Sequence, residues 1–112
     1  MLSLELLRGY GADVDEALGR CLNNEAFYFR LIKMAMADDS YDKLKEALEA
    51  GQWKEAFERA HALKGVTSNL ALRPIQNPVS ELTERLRPQE PCEYAELLDE
   101  ILLQKEKLTE YL

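Results

Sequence analysis

The sequence predicts an all-α protein: an antiparallel up-and-down four-helix bundle with short additional helices at its N-terminal end. Three observations carry that expectation. Ala, Leu, Glu and Lys dominate, β-branched residues are scarce, and no stretch alternates apolar and polar residues as a strand does. Apolar residues instead recur every three or four positions. Gly, Pro, Asn, Asp and Ser punctuate these runs with connections so short that consecutive long helices have to run antiparallel.

Taken in order, Leu2 to Arg8 reads as a short opening helix ended by Gly9-Tyr10-Gly11. Asp13 caps a second, Val14 to about Cys21, with Glu16 placed to complete a capping box. Asn24 caps a longer helix through Ala37, with Phe27, Leu31, Ile32 and Met34 assigned to its inner face. Ser40 caps Tyr41 to Ala50, which Gly51 stops as a left-handed residue. From Gln52 to about Ala71 the inward positions are Trp53, Ala56, Ala60, Leu63, Thr67 and Leu70. Pro74 suits the first turn of the next helix. Pro78 lacks a donor and crowds the carbonyl four residues back, so an irregular start is expected, with regular helix from about 78 to 87. After the turn Arg87-Pro88-Gln89-Glu90-Pro91, a last helix from Cys92 to about Leu112 carries Leu97, Leu98, Ile101, Leu102, Leu108 and Leu112 as an apolar stripe. The bundle helices are therefore 24–37, 52–71, 78–87 and 92–112, with the shorter helices packed across one end.

The whole chain, 1–112, reads as one domain with one modest core. Its 46% hydrophobic and 31% charged residues are an ordinary globular balance. No apolar run approaches the roughly 20 residues that cross a bilayer. Met1-Leu2-Ser3-Leu4-Glu5 meets an acid at once and lacks a signal-peptide pattern, so a cytoplasmic, membrane-free protein is expected. A net charge of −7 argues against nucleic acid, whose phosphates select basic surfaces. Cys21 and Cys92 lack metal-ligand spacing and are expected to be reduced thiols. With one histidine in the chain, a bundle metal centre built on paired Glu-x-x-His motifs is excluded, and no metal site is expected. The helices suffice to close their own core, which favours a monomer.

That histidine, His61, is where the chemistry concentrates. On a helix, His61, Lys64, Gly65 and Ser68 share one face, turned away from the Leu63–Leu70 line. An exposed neutral imidazole offers a nitrogen lone pair to a phosphoryl donor held by another protein. Lys64 brings an ammonium to the oxygens of an incoming phosphoryl group. Gly65 costs a helix interior roughly 1 kcal/mol relative to alanine, and a reason for it is access, since nothing at that position then blocks a partner's rim. Ala62 keeps the other side low. Phe57, one turn earlier, is an apolar docking contact. Each residue alone has a plainer reading: a surface histidine, a solvated lysine, a tolerated glycine, a surface hydroxyl, the edge of a core. Their combination at this spacing is what points to function.

His61-Ala62-Leu63-Lys64-Gly65 followed by Asn69-Leu70 resembles the signature of the histidine-phosphotransfer (HPt) family, His-x-x-Lys-Gly with a small and apolar pair downstream. The helix order is similar to that family's over nearly the whole chain, in a stand-alone bacterial type. The resemblance implies a phosphocarrier, not a kinase. Nε2 of His61 would accept a phosphoryl group from a receiver domain's phospho-aspartate, and another receiver would take it on. It implies receiver domains of response regulators or hybrid histidine kinases as partners. It implies no cofactor of the chain's own, the Mg²⁺ being the receiver's. No Gly-rich phosphate loop occurs that would suggest otherwise. Two positions depart from the family's habit. Ala71 stands where a glycine is usual, and Thr83 stands, by count, where a glutamine often faces the histidine, leaving a hydroxyl as the available hydrogen-bonding group. The competing readings are an adaptor that docks receivers without transferring phosphoryl groups, and a purely structural helical bundle.

Overall fold

The computed structural model describes all residues, 1–112, and is built of seven helices without a strand. They are α1 (Leu4–Tyr10), α2 (Val14–Arg20), α3 (Glu25–Ala37), α4 (Ser40–Glu49), α5 (Trp53–Asn69), α6 (Arg73–Leu86) and α7 (Ala95–Thr109). One core of 26 buried apolar residues runs through them all.

α5 is the axis of the bundle. Its inner face is the expected one: Ala56, Ala60, Leu63 and Thr67 are buried, Leu70 follows just past its end, and Trp53 is half-buried. α3 and α4 both run antiparallel to it, on different halves. Near the C-terminal end of α5, the α3 residue Tyr28 donates from its hydroxyl to Leu70 O at 2.9 Å. At the N-terminal end, Gly51 turns the chain at φ 68° and Gln52 N donates to Ala47 O at 2.9 Å, folding α4 back along α5. α6 returns along the other side of α5, and α7 packs on α6. The first limb of the bundle is thus α3 and α4 in succession. The expectation that 41–50 packs across an end is corrected: Tyr41, Leu44, Ala47 and Leu48 are buried, and α4 is a bundle helix. Only α1 and α2 are accessory.

Several boundaries and faces also differ from expectation. In α3 the buried residues are Tyr28, Ile32 and Met36, while Leu31 is half-buried, Phe27 exposed and Met34 63% exposed. The run from Ala26 to Ala37 is apolar on nearly every side, so its spacing alone does not fix which stripe turns inward. α6 has no irregular start: it is helical from Arg73, with Pro74 in its first turn and Pro78 inside it. Ile75, Val79, Leu82 and Leu86 are all fully buried along one stripe, and that packing holds the helix through the proline. α1 begins at Leu4, where Ser3 Oγ accepts from Leu6 N, and α4 begins at Ser40 itself, whose N–H donates to Asp38 Oδ1 at 2.7 Å. α7 spans Ala95–Thr109, which leaves Cys92 ahead of it and Leu112, 39% exposed, beyond it. Both cysteines are free, with Cys21 buried and Cys92 partly so.

The corner between α5 and α6 is heavily tied. Ala71 is fully buried at φ 52°, the left-handed conformation in which alanine replaces the usual glycine. Asp13 N donates to Ala71 O at 2.9 Å, and Arg20 donates to Ser68 O at 2.8 Å and Asn69 O at 3.2 Å. Asp13 caps α2 through Glu16 N as expected. The Glu16 carboxylate, however, pairs with Arg20 and Arg73 rather than closing a capping box. α2 is in effect a clasp over this corner.

Candidate functional site

His61 stands at the midpoint of α5, about 12 Å from either end of the helix. It is exposed, and neither ring nitrogen has a hydrogen-bond partner within the protein. Its ring lies 5.7 Å, centroid to centroid, from that of Phe57, one turn earlier. Phe57 is half-buried, and its ring also takes the guanidinium of Arg87, 5.5 Å from its centroid.

The remaining residues singled out in the sequence separate on inspection. Lys64 is half-exposed beside His61 and pairs with Glu84 of α6, Nζ to Oε1 at 3.7 Å. Gly65 is exposed, and a Cβ built there meets nothing within 4 Å. The fold therefore does not require a glycine at this position. Ala62 is exposed on the opposite flank. Ser68 is half-buried and seven residues on, about 10.5 Å along the axis, beyond the reach of a group held at His61. Thr83 does not face the imidazole at all. It is fully buried, and its hydroxyl donates to Val79 O at 2.7 Å, satisfying itself within α6. The expectation of a Thr83 hydroxyl at the site is corrected on that ground.

What α6 does turn toward this face is Glu84 and Arg87, which sequence reasoning missed. Arg87 grips the Glu84 carboxylate with two hydrogen bonds, Nε to Oε2 at 3.0 Å and Nη2 to Oε1 at 2.8 Å. Those bonds, with the charges of Arg87 and Lys64, hold the Glu84 carboxyl below the usual carboxylate range. The same bonds and charge raise the Arg87 guanidinium. Lys64, Glu84, Arg87 and Phe57 thus form a chain of contacts that meets His61 through the Phe57 ring. The spacing of Glu84 and Arg87 on one helix was a visible signal, but their alignment with α5 was not.

On the other side of α5 an open apolar groove of about 390 Å³ separates it from α3. Leu31, Met34 and Ala35 line one wall, and Ala62, Val66 and Leu70 the other. Ala62 makes this groove continuous with the face of His61. Met34 and Val66 are 63% and 42% exposed, an unusual outlay of apolar surface beside one polar ring.

The family model for the Hpt domain matches residues 33–109, which hold α4 to α7 entire and the end of α3. The chain belongs to the Hpt domain family. Hpt domains serve histidine phosphotransfer in phosphorelays, working with receiver domains as phosphocarriers rather than kinases. Comparison with the curated proteins and with the solved structures yields no match. Within this Hpt domain, α1 and α2 lie outside the matched residues, and no helix is long and apolar enough to cross a membrane.

Proposed function

We propose that this Hpt domain is a phosphorelay intermediate that accepts a phosphoryl group on His61 from one receiver domain and passes it to another. The observation that carries the reading is an unpartnered, exposed imidazole at the midpoint of α5, in the only histidine of the chain. In the transfer, the Nε2 lone pair attacks the phosphorus of a phospho-aspartate, a P–N bond forms, and the P–O bond to the aspartate breaks. The carboxylate leaves, and Nδ1 keeps its proton, so the product is a phospho-imidazolium. Reversal on a second receiver restores the neutral ring. Lys64 steadies the phosphoryl oxygens, and Phe57 fixes the plane of the ring. Gly65 and Ala62 leave the approach clear, and the apolar groove lined by Met34 and Val66 supplies docking area next to it. The acidic cluster and the Mg²⁺ belong to the receiver, and the setting we assign is cytoplasmic.

An adaptor that merely docks receivers would use the groove but would have no need of the open face around His61. The test is phosphotransfer from a panel of receiver domains of the same organism, loaded with a small-molecule phosphodonor. Acid-labile, alkali-stable label is expected on the wild type and none on His61→Ala, with the melting of the variant nearly unchanged because the side chain is exposed. A folded wild type that takes no label from any loaded receiver would leave the adaptor reading in its place.

A further inference from the structure

We infer that Glu84 is a built-in counter-anion of the phosphoryl site, holding Lys64 and Arg87 beside His61 until a phosphoryl group replaces it as their partner. The inference rests on the phosphocarrier reading above and adds to it a positioning residue and a second cation. Two side chains, Lys64 on α5 and Arg87 just past the end of α6, converge on one carboxylate, at 3.7 Å and at 2.8 and 3.0 Å. Arg87 is also placed against the Phe57 ring, whose other neighbour is His61. Lys64, one helical turn from His61, and Arg87, linked to it through the Phe57 ring, are therefore held by one carboxylate on the α6 side of the imidazole, in a chain whose net charge is −7.

A carboxylate and a phosphoryl group offer the same thing to these cations: two or more anionic oxygens that accept from a guanidinium fork and an ammonium. Glu84 is 57% exposed, and its side chain can swing to solvent at little cost, whereas Lys64 is 40% exposed and Arg87, nearly as open as Glu84, keeps its contact with the Phe57 ring. Two consequences follow. Glu84 keeps long cationic side chains ordered near the site, which favours positioning. Its negative charge also opposes a second anion at His61, so it lowers the resting affinity of the site for phosphoryl groups. The phosphorylated state is held below what Lys64 and Arg87 alone would support, which suits a carrier that has to release its load.

The experiment is the equilibrium between a phosphorylated receiver and the full chain, followed by label for the wild type and for Glu84→Gln, Arg87→Gln, the double variant and His61→Ala. Glu84→Gln keeps the shape and removes the charge. It is expected to raise the equilibrium constant for phospho-His61 about two- to fivefold at low salt, with the gain shrinking as salt is added. Arg87→Gln is expected to lower that constant, and Glu84→Gln added to it to restore less than it gains in the wild type. A purely structural ion pair would leave the equilibrium where it is and change only melting. An unchanged or lowered constant in Glu84→Gln, with label present on the wild type, overturns the inference alone. No label on the wild type overturns the phosphocarrier reading and this inference with it.

Discussion

The middle of α5 and the corner at its C-terminal end lie about 13 Å apart on one stretch of chain, and they are held in different ways. At the corner, Leu70 O accepts from the Tyr28 hydroxyl, Ala71 O from Asp13 N, and Ser68 O and Asn69 O from Arg20. In the middle, His61 has no hydrogen-bond partner, Gly65 faces open space, and Ala62 carries nothing beyond a methyl group. Segments whose backbone groups are bonded by distant elements open rarely, and those elements then fix the helix as a rigid strut. The comparison teaches that the imidazole itself is left without hydrogen bonds because the ties that set the helix are made elsewhere. A nucleophile that has to meet an external partner is best left without internal ones, on a helix whose position is set from its end.

Substitutions sharpen or break this contrast. The largest effect is expected from Ala71→Val. A β-branched side chain at φ 52°, in a position with no exposed surface, is expected to lower stability by about 3 kcal/mol, from backbone strain and overpacking together. Urea denaturation measures it, and a loss under about 1 kcal/mol would mean that the corner yields and is no strut. A smaller effect is expected from Tyr28→Phe, which leaves Leu70 O without its partner and lowers stability by about 1 kcal/mol. Burial pushes the Tyr28 phenol up to about 12, against an ordinary value near 10. A phenol kept protonated by folding contributes stability below pH 10 and loses it as pH rises toward 12. Alkaline melting of the wild type is therefore expected to steepen between those values, and less so in Tyr28→Phe. Tyr10 and Tyr41 are raised in the same direction by burial, so part of the slope survives the substitution.

The smallest shift is expected at the other pole. Gly65→Ala places a methyl group where nothing lies within 4 Å, and is expected to raise stability by about 0.5–1 kcal/mol through helix propensity. Thermal melting reads that gain. Gly65→Gln is expected to gain stability as well while slowing phosphotransfer, because its longer side chain stands in the approach to His61. Transfer at the wild-type rate in Gly65→Gln would remove the access role, and a loss of stability in Gly65→Ala would show that the face is packed after all.

Much of this was legible in the residues, and the parts that were not share a cause. The inner face of α5 and the grouping of His61, Lys64 and Gly65 depend on spacing within one helix, which the sequence states directly. Glu84 and Arg87 reach the site from α6, and which of its residues stand opposite His61 depends on how two helices slide past each other. Counting along the chain therefore selected Thr83, whose neighbour Glu84 is the one that meets Lys64. Phe27 and Met34 were misplaced because α3 is apolar on nearly every side, leaving its rotation to tertiary packing. The start of α6 shows packing overriding local propensity: proline at position 78 is outweighed by a stripe of fully buried residues.

The order in which the helices pack has a consequence for how quickly the chain finds its structure. α4 lies on α5, α5 on α6 and α6 on α7, so most of the bundle joins neighbours in sequence, with short loops to close. Helical proteins with such local topology fold on the order of microseconds to milliseconds. The hydroxyl of Tyr10, by contrast, reaches Gln104 O across 94 residues. That bond bears the longest loop-closure entropy and needs α7 already in place. α1 is accordingly expected to dock late as the chain folds and to exchange its amide hydrogens early when it opens, an order that native-state hydrogen exchange would check.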